Sequence, residues 1–312
     1  MNVLVTGASG FVGAYLLQLL KEHGHEITAI GLSMGDLNGR FGVTAIEQDI
    51  LNAEGLRRSF KHIHPEVVVH LAAISNVGLS WQDPSLTVDV NIRGTLNVLE
   101  ALRFANPSAK LINIGSSDEY GLSAQVGVPL AEDMLCQPQS PYAITKYCAE
   151  QLCLQLANKY GIRLIQTRSF NHYGPGQGRG FVIPDFASQI VAMERGQLSP
   201  LLLVGNLEAY RDFTHVEDVV KAYVALVEHD VPSGVYNICS GKARKITDVL
   251  NQLLALAQIK IDIKQDINRM RPSDVPYFVG SPQKIREATG WNAQYRFEQG
   301  LRDVLEYWRN CN

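Results

Sequence analysis

A chain of 312 residues is long enough for one large domain with a second lobe, or for two domains. Its 46% of hydrophobic residues can build a core, and with 19% charged residues they exclude a disordered chain. The net charge of −3 gives no footing for nonspecific nucleic-acid binding, so an anionic ligand has to be held by local arginines and backbone amides. Met1-Asn2-Val3-Leu4-Val5 enters a predicted strand, Asn2–Thr6, without the basic start or long apolar run of a signal peptide or membrane anchor. The chain is therefore read as cytoplasmic, with no membrane partner. Further strands are expected near Glu26–Ile30, Val43–Glu47, Val67–Leu71, Lys110–Gly115 and Arg163–Thr167. Helices are expected near Phe11–Glu22, Ala53–His62, Asp89–Phe104 and Tyr142–Tyr160. Continuous apolar strands suit a parallel sheet covered on both faces. The alternation predicts an α/β fold, a doubly wound, Rossmann-like parallel sheet over residues 1–169. At Tyr173-Gly174-Pro175-Gly176-Gln177-Gly178 the rhythm breaks. Residues 170–312 are expected to form mainly a smaller substrate-binding lobe that closes on a helix, Phe297–Arg309, with Val235–Cys239 as a strand that returns to the main sheet.

Gly7, Gly10 and Gly13, with Phe11 and Val12 between them, follow the first strand and open the first helix. Glycine lets the backbone turn tightly and approach a pyrophosphate, whose charge a helix N-terminus favours. Tyr142 and Lys146 stand i, i+4 at the start of a predicted helix, so phenol and cation share one face. The cation lowers the phenol's pKa and equips it to exchange a proton with a sugar hydroxyl or carbonyl oxygen. The five cysteines are an odd number without paired spacing, which argues against a disulfide framework or a zinc site. His23/His25 and His62/His64 are spaced i, i+2, which a helix points apart, and no metal is expected. Neither Ser116 nor Ser117 has a glycine two residues on, as a serine-hydrolase elbow requires.

The GxxGxxG spacing, Asp49-Ile50 after the third strand, His70-Leu71-Ala72-Ala73 after the fourth and Asn91–Glu100 on the central helix resemble the extended short-chain dehydrogenase/reductases. Tyr142 and Lys146 fit the same family. The resemblance implies an NAD(P)-dependent oxidoreductase with Gly7, Gly10, Phe11, Val12, Gly13, Ser33, Asp49, Ile50, Leu71, Ala72, Ala73, Tyr142 and Lys146 at the cofactor. Ile112–Gly121 looks like the family's catalytic serine/threonine segment. Aligned back from Tyr120-Gly121, Ser116 is the hydroxyl that bonds the reacting oxygen, with Ser117 and Asp118 beside the substrate. Asp118 stands where related 4,6-dehydratases carry a glutamate base, one methylene shorter, and Glu119 falls on the next position. A base and a loop-orienting role both stay open for these acids. The second strand ends Ala29–Ser33 without the acid that NAD enzymes set against the ribose hydroxyls. Asp36 comes late, and Arg40 reaches the site only if its loop folds back. NADP(H) is expected, with NAD(H) as a second cofactor.

Phe170–Gln177 resembles the family's substrate-loop entrance, which puts Asn171 near a sugar diphosphate. Phe181–Pro184, Gly205–Phe213 and Arg269–Val275 resemble GDP-hexose enzymes. That likeness implies that Val182 lines the base pocket, that Asn206 lies at the substrate, and that Arg211 and Arg271 offer planar forks to the phosphates. Asp274 would accept from ribose hydroxyls or guanine donors. Over nearly all of the chain the resemblance implies a GDP-sugar partner and reduction of the C4 ketone of a GDP-4-keto-6-deoxy sugar. Spacing alone stops at a sugar-nucleotide dehydrogenase, reductase, epimerase or dehydratase, and a GDP-mannose-type 4,6-dehydratase or an epimerase stays the alternative. A non-catalytic nucleotide-binding module is the reading from another class, and Tyr142 with Lys146 argues against it. The family also implies a homodimer in which Asp89–Phe104 and Tyr142–Tyr160 pair with their symmetry mates, Ala101, Leu102, Cys148 and Leu152 lining an isologous seam.

Overall fold

Seven strands pair into one parallel sheet in the computed structural model, which describes residues 1–37, 42–125, 127–266 and 275–311. In chain order the first half runs β1 (Asn2–Thr6), α1 (Phe11–Glu22), β2 (Glu26–Gly31), β3 (Thr44–Glu47), α2 (Ala53–Ile63) and β4 (Val67–His70). It continues through α3 (Val77–Gln82), α4 (Pro84–Val88), α5 (Thr95–Ala105), β5 (Lys110–Ser116), α6 (Pro141–Tyr160) and β6 (Arg163–Ser169). After β6 come β7 (Asn171–Tyr173), α7 (Val182–Glu194), β8 (Leu201–Val204), β9 (Tyr210–His215), α8 (Val216–Glu228) and β10 (Gly234–Ile238). The chain closes through β11 (Ala243–Lys245), α9 (Ile246–Ala255), β12 (Asp262–Gln265), β13 (Tyr277–Phe278), α10 (Gln283–Thr289) and α11 (Phe297–Asn310).

The order in the main sheet is β10-β6-β5-β4-β1-β2-β3, and every pairing is parallel. The chain thus winds outward from β1 in both directions, as a doubly wound fold does. One face is buried by Leu16, Leu17 and Leu20 of α1 together with Val219, Val220 and Tyr223 of α8. The other is buried by Leu56 and Phe60 of α2, Val98 and Leu99 of α5, and Cys153 and Ala157 of α6. Two segments beyond residue 170 therefore complete the main layer: α8 packs on α1, and β10 pairs with β6. The remainder forms a lobe in which β11, β9 and β13 lie side by side, β7 pairs with β9, and β12 pairs with β8. Its core joins α7, α9 and α11 through Phe186, Ile190, Leu250, Leu253, Leu301 and Leu305.

Local signals set the boundaries. Asn52 caps α2 by accepting from the Gly55 amide at 2.9 Å. Ser140 caps α6, Pro141 occupies its first turn, and left-handed Gly161 ends it. The expected helix Asp89–Phe104 differs at its start: the chain is helical from Pro84, and Asp89–Gly94 is π-helical before α5 begins. The wider turn brings Asn91 inward, where its side chain meets both Ile74 N (2.8 Å) and Ile74 O (3.1 Å) and donates to Thr145 Oγ1 at 3.1 Å.

Two further expectations need correction. Ala101 and Leu102 cannot line a seam between protomers, because both are fully buried in the core under α5. On α6 the outward residues are Ile144, Cys148 and Leu152, one stripe at helical spacing, with Ile144 47% and Leu152 40% exposed. His23 and His25 do not point apart, since His23 lies just past the end of α1 and His25 just before β2; both meet Glu228 Oε1, at 2.9 and 3.0 Å. Among the described residues no helix is long and apolar enough to cross a membrane.

Candidate active site

At the end of β1 the backbone of Gly7 takes φ +67°, and a Cβ there would lie 2.6 Å from the Ala72 amide nitrogen. The glycine turn therefore runs against Leu71-Ala72-Ala73, where Leu71 N donates to Thr6 O at 3.1 Å. Gly13 packs directly on the Ala8 carbonyl, which draws α1 onto the turn. Gly10 caps α1 without any side-chain hydrogen bond, so the helix, with Phe11 and Val12 in its first turn, offers its leading amides to an anion. A second loop closes over this turn. Tyr15 Oη donates to Pro175 O at 2.8 Å, and Gly176 lies against Phe11. Gln177 is buried there; its Nε2 donates to His172 O at 3.1 Å while Oε1 has no hydrogen-bond partner. A close-packed glycine turn, an uncapped helix start and an open buried acceptor fit a dinucleotide.

The flanking cofactor positions are less uniform. Ile50 is buried against Gly94, and its carbonyl accepts from Asn97 Nδ2 at 2.9 Å. Asp49 is exposed and accepts from Leu51 N at 2.8 Å. Ser33 is exposed just beyond β2, next to a Gly31 that approaches Ser9. Arg40 lies outside the described residues. His70 bridges Thr6 Oγ1 (2.6 Å) and Thr95 Oγ1 (3.0 Å); burial, aided by the Lys146 cation, pushes it down to about 3, so it is a neutral tie between strand and helix.

Ser116, Tyr142 and Lys146 come together at the C-terminal edge of the sheet. Ser116 is the last residue of β5, and Lys146 Nζ donates to Ile114 O, two residues earlier on that strand, at 2.7 Å. Tyr142 and Lys146 sit one turn apart on the buried face of α6, and Tyr142 N donates to Ser80 Oγ at 3.1 Å. Burial pushes the Tyr142 phenol well up, the Asp118 carboxylate adds to this, and the Ser116 hydroxyl works the other way. Burial lowers the Lys146 ammonium to about 8, against the pull of Glu119. A phenol, a cation and a hydroxyl around one strand end can hold a carbonyl oxygen and deliver a proton to it.

On the substrate side, Ser117 is buried and Asp118 half-buried in the single 3-10 turn Ser117–Glu119. Asn171 on β7 pairs in register with Phe213 on β9 and reaches Asp212 O with Nδ2 at 3.4 Å. Arg211 lies two residues before Phe213, and its Nη1 donates to Tyr210 O at 2.9 Å and Val275 O at 2.8 Å. Val182 opens α7 at the surface, and Asn206 follows β8, where its Oδ1 accepts from Glu208 N at 2.9 Å. Arg271 and Asp274 lie outside the described residues.

Sequence reasoning missed a cluster behind the strand end. Arg168 on β6 is buried and pairs with Glu150 on α6, Nη2–Oε1 2.6 Å and Nε–Oε2 3.0 Å, while fully buried Glu119 accepts from Ser116 N at 2.7 Å. The usable signal was an arginine at the end of a strand that the alternation places inside the sheet, since such a charge is seldom buried without a partner.

The GDP-mannose 4,6 dehydratase family profile matches residues 4–304. The chain is 36% identical over 309 residues to GDP-6-deoxy-D-mannose reductase of Pseudomonas aeruginosa, covering 99% of this chain and 97% of that protein. Among solved structures, RMD from Pseudomonas aeruginosa complexed with NADPH superposes with a TM-score of 0.86 at 35% identity, covering 98% of each chain. A UDP-glucose 4-epimerase of Thermus thermophilus in complex with NAD superposes with a TM-score of 0.88 at 29% identity, covering 100% of each chain.

Proposed function

This chain belongs to the GDP-mannose 4,6 dehydratase family, within the extended short-chain dehydrogenase/reductases, and on that premise we propose that it reduces the C4 ketone of a GDP-4-keto-6-deoxyhexose. The substrate is GDP-4-keto-6-deoxy-D-mannose, the product GDP-D-rhamnose, and the reductant NADPH, with NADH as a second donor. The observation that carries this reading is the near full-length identity to a reductase, in a chain that keeps Ser116, Tyr142 and Lys146 at one strand end. A bound nicotinamide supplies the hydride. The protein's own part is to hold the ketone oxygen at Ser116 and to deliver the Tyr142 proton to it as charge develops. Lys146 keeps positive charge beside that oxygen. Asn171 on β7 and Arg211 on β9, two residues before the register partner of Asn171, are assigned to the sugar diphosphate.

The alternative is a 4,6-dehydratase, and Asp118 favours it in one respect, since its carboxylate acts on Tyr142. Glu119 is a poor base, because it is fully buried and its Oε1 is taken by the Ser116 amide. Cofactor accounting tests the two. The reductase consumes one NADPH per GDP-4-keto-6-deoxymannose and leaves GDP-mannose untouched. Conversion of GDP-mannose to the 4-keto-6-deoxy sugar without net NADPH change would overturn the proposal. We place the protein in the cytoplasm as a homodimer paired through the outer stripe of α6.

A further inference from the structure

We propose that Glu119 is held as the neutral carboxylic acid and serves as the positioning residue for Ser116. Its kinetic consequence rests on the ketone reduction proposed above, whereas its structural part stands on charge and hydrogen-bond geometry at the end of β5. Glu119 Oε1 accepts from Ser116 N at 2.7 Å, and Ser116 Oγ accepts from Asp118 N at 3.2 Å. This reciprocal box seats the 3-10 turn on the strand end and leaves the serine little freedom. The strand is shaped around the acid: a Cβ on Gly115 would lie 2.6 Å from Glu119 Oε1.

The cluster contains two buried carboxyl groups and one arginine. Arg168 spends Nε and Nη2 on Glu150, at 3.0 and 2.6 Å, and Nη1 on Glu132 O at 3.3 Å. Glu119 Oε2 is 3.7 Å from Arg168 Nε, beyond hydrogen-bond range, and has no hydrogen-bond partner. An ionised Glu119 would thus be a second buried negative charge against one already matched cation. A proton on Glu119 removes that charge and lets the acid donate to the Glu150 carboxyl group lying against it. Burial first, and then the Glu150 charge, push Glu119 well above the usual carboxylate range, while the Ser116 amide and Arg168 work against them.

The other ionisable neighbours do not reverse this. Lys146 on α6 is a cation at neutral pH and favours an ionised Glu119, but burial and the Glu150 charge are the larger influences on the acid. Tyr142 and Tyr147 on α6, Cys136 beside it and Asp118 on the same turn are neutral or acidic. Neutrality also serves the site. A negative Glu119 would raise the Tyr142 phenol further, on top of burial and the Asp118 carboxylate, and the neutral acid spares the phenol that addition.

The test pairs two substitutions with a direct view of the proton. Glu119→Ala removes the acceptor for Ser116 N and should lower kcat by about 10–100-fold, with KM for the sugar nucleotide changed by less than about threefold. Glu119→Gln keeps an acceptor for Ser116 and an N–H for Glu150, and should recover most of that loss. If Glu119→Ala does not fold, Glu119→Asp, one methylene short of Ser116, takes its place. Independently of turnover, the infrared difference spectrum between wild type and Glu119→Gln at neutral pH should show a protonated carboxyl band lost. Absence of that band, or Glu119→Gln as slow as Glu119→Ala in an active enzyme, would overturn the inference. A wild type inactive on the 4-keto sugar sinks the reaction instead, while the infrared result still decides the charge on Glu119.

Discussion

Tyr142 is buried beside Ser116 at the end of β5, and the proposed reduction depends on its proton. Tyr142→Phe should lower kcat about 10²–10⁴-fold with KM little changed, because only the transition state needs the proton; steady-state kinetics on the 4-keto sugar check this. The reaction should also lose speed as pH rises through about 8, where Lys146 gives up its charge, so kcat/KM carries an alkaline limb there. A rate that stays flat well beyond that pH would mean that the cation is not needed. Ser33 is exposed beyond β2 where no acid closes the strand, and Ser33→Asp should move cofactor preference toward NADH by about tenfold, through repulsion of a 2′-phosphate. The ratio of kcat/KM for the two cofactors measures that shift. Tyr142 and Lys146 could be singled out by their i, i+4 spacing and Ser116 by the family resemblance of Ile112–Gly121, and the fold brings the three to one strand end. Glu150 and Arg168 were not legible in the sequence, since a helix residue and a strand residue 18 positions apart become partners only when β6 is laid against α6.

Elements were readable in proportion to how much of their own burial they determine. Strands β1 and β4 are apolar nearly throughout and lie inside the sheet, so composition announces them. β7, β11 and β13 have two or three residues each and owe their existence to pairing with β9, which no local pattern reports. α6 misleads in another way. Its buried face carries Tyr142, Lys146 and Glu150 beside Ala149, Cys153 and Ala157, and its outer face carries Ile144, Cys148 and Leu152, so no clean apolar stripe tells inside from outside. Lys110 shows how one side chain can finish an element. Its Nζ donates to Leu226 O, Val227 O and His229 O at 2.8, 2.9 and 2.8 Å, which satisfies the end of α8. Lys110→Met should cost about 2–4 kcal/mol, because the volume is kept while buried carbonyls lose their donor. Urea unfolding followed by circular dichroism would show it, and an unchanged midpoint would mean that water replaces the ammonium.

For the whole molecule, the outer stripe of α6 continues into exposed Leu79, Trp81, Leu86 and Val88 on the neighbouring α3 and α4. An exposed apolar patch of this kind calls for a cover. In the proposed homodimer Leu152→Arg should weaken self-association at least about tenfold, because it buries a charge at a two-fold seam. Sedimentation velocity across a dilution series reads this, and a wild type that is monomeric throughout would remove the dimer. The main sheet also has a history built into it. Its edge beside β6 is closed by β10, and the face of α1 is covered by α8, both of which arrive long after β6 has been made. On the ribosome, a chain that has released Ser169 but not Ile238 displays an open strand edge and a bare apolar helix. For the time it takes to synthesise the intervening residues, the nascent protein is a natural client for a chaperone, and stalling in that interval should be the point at which it aggregates.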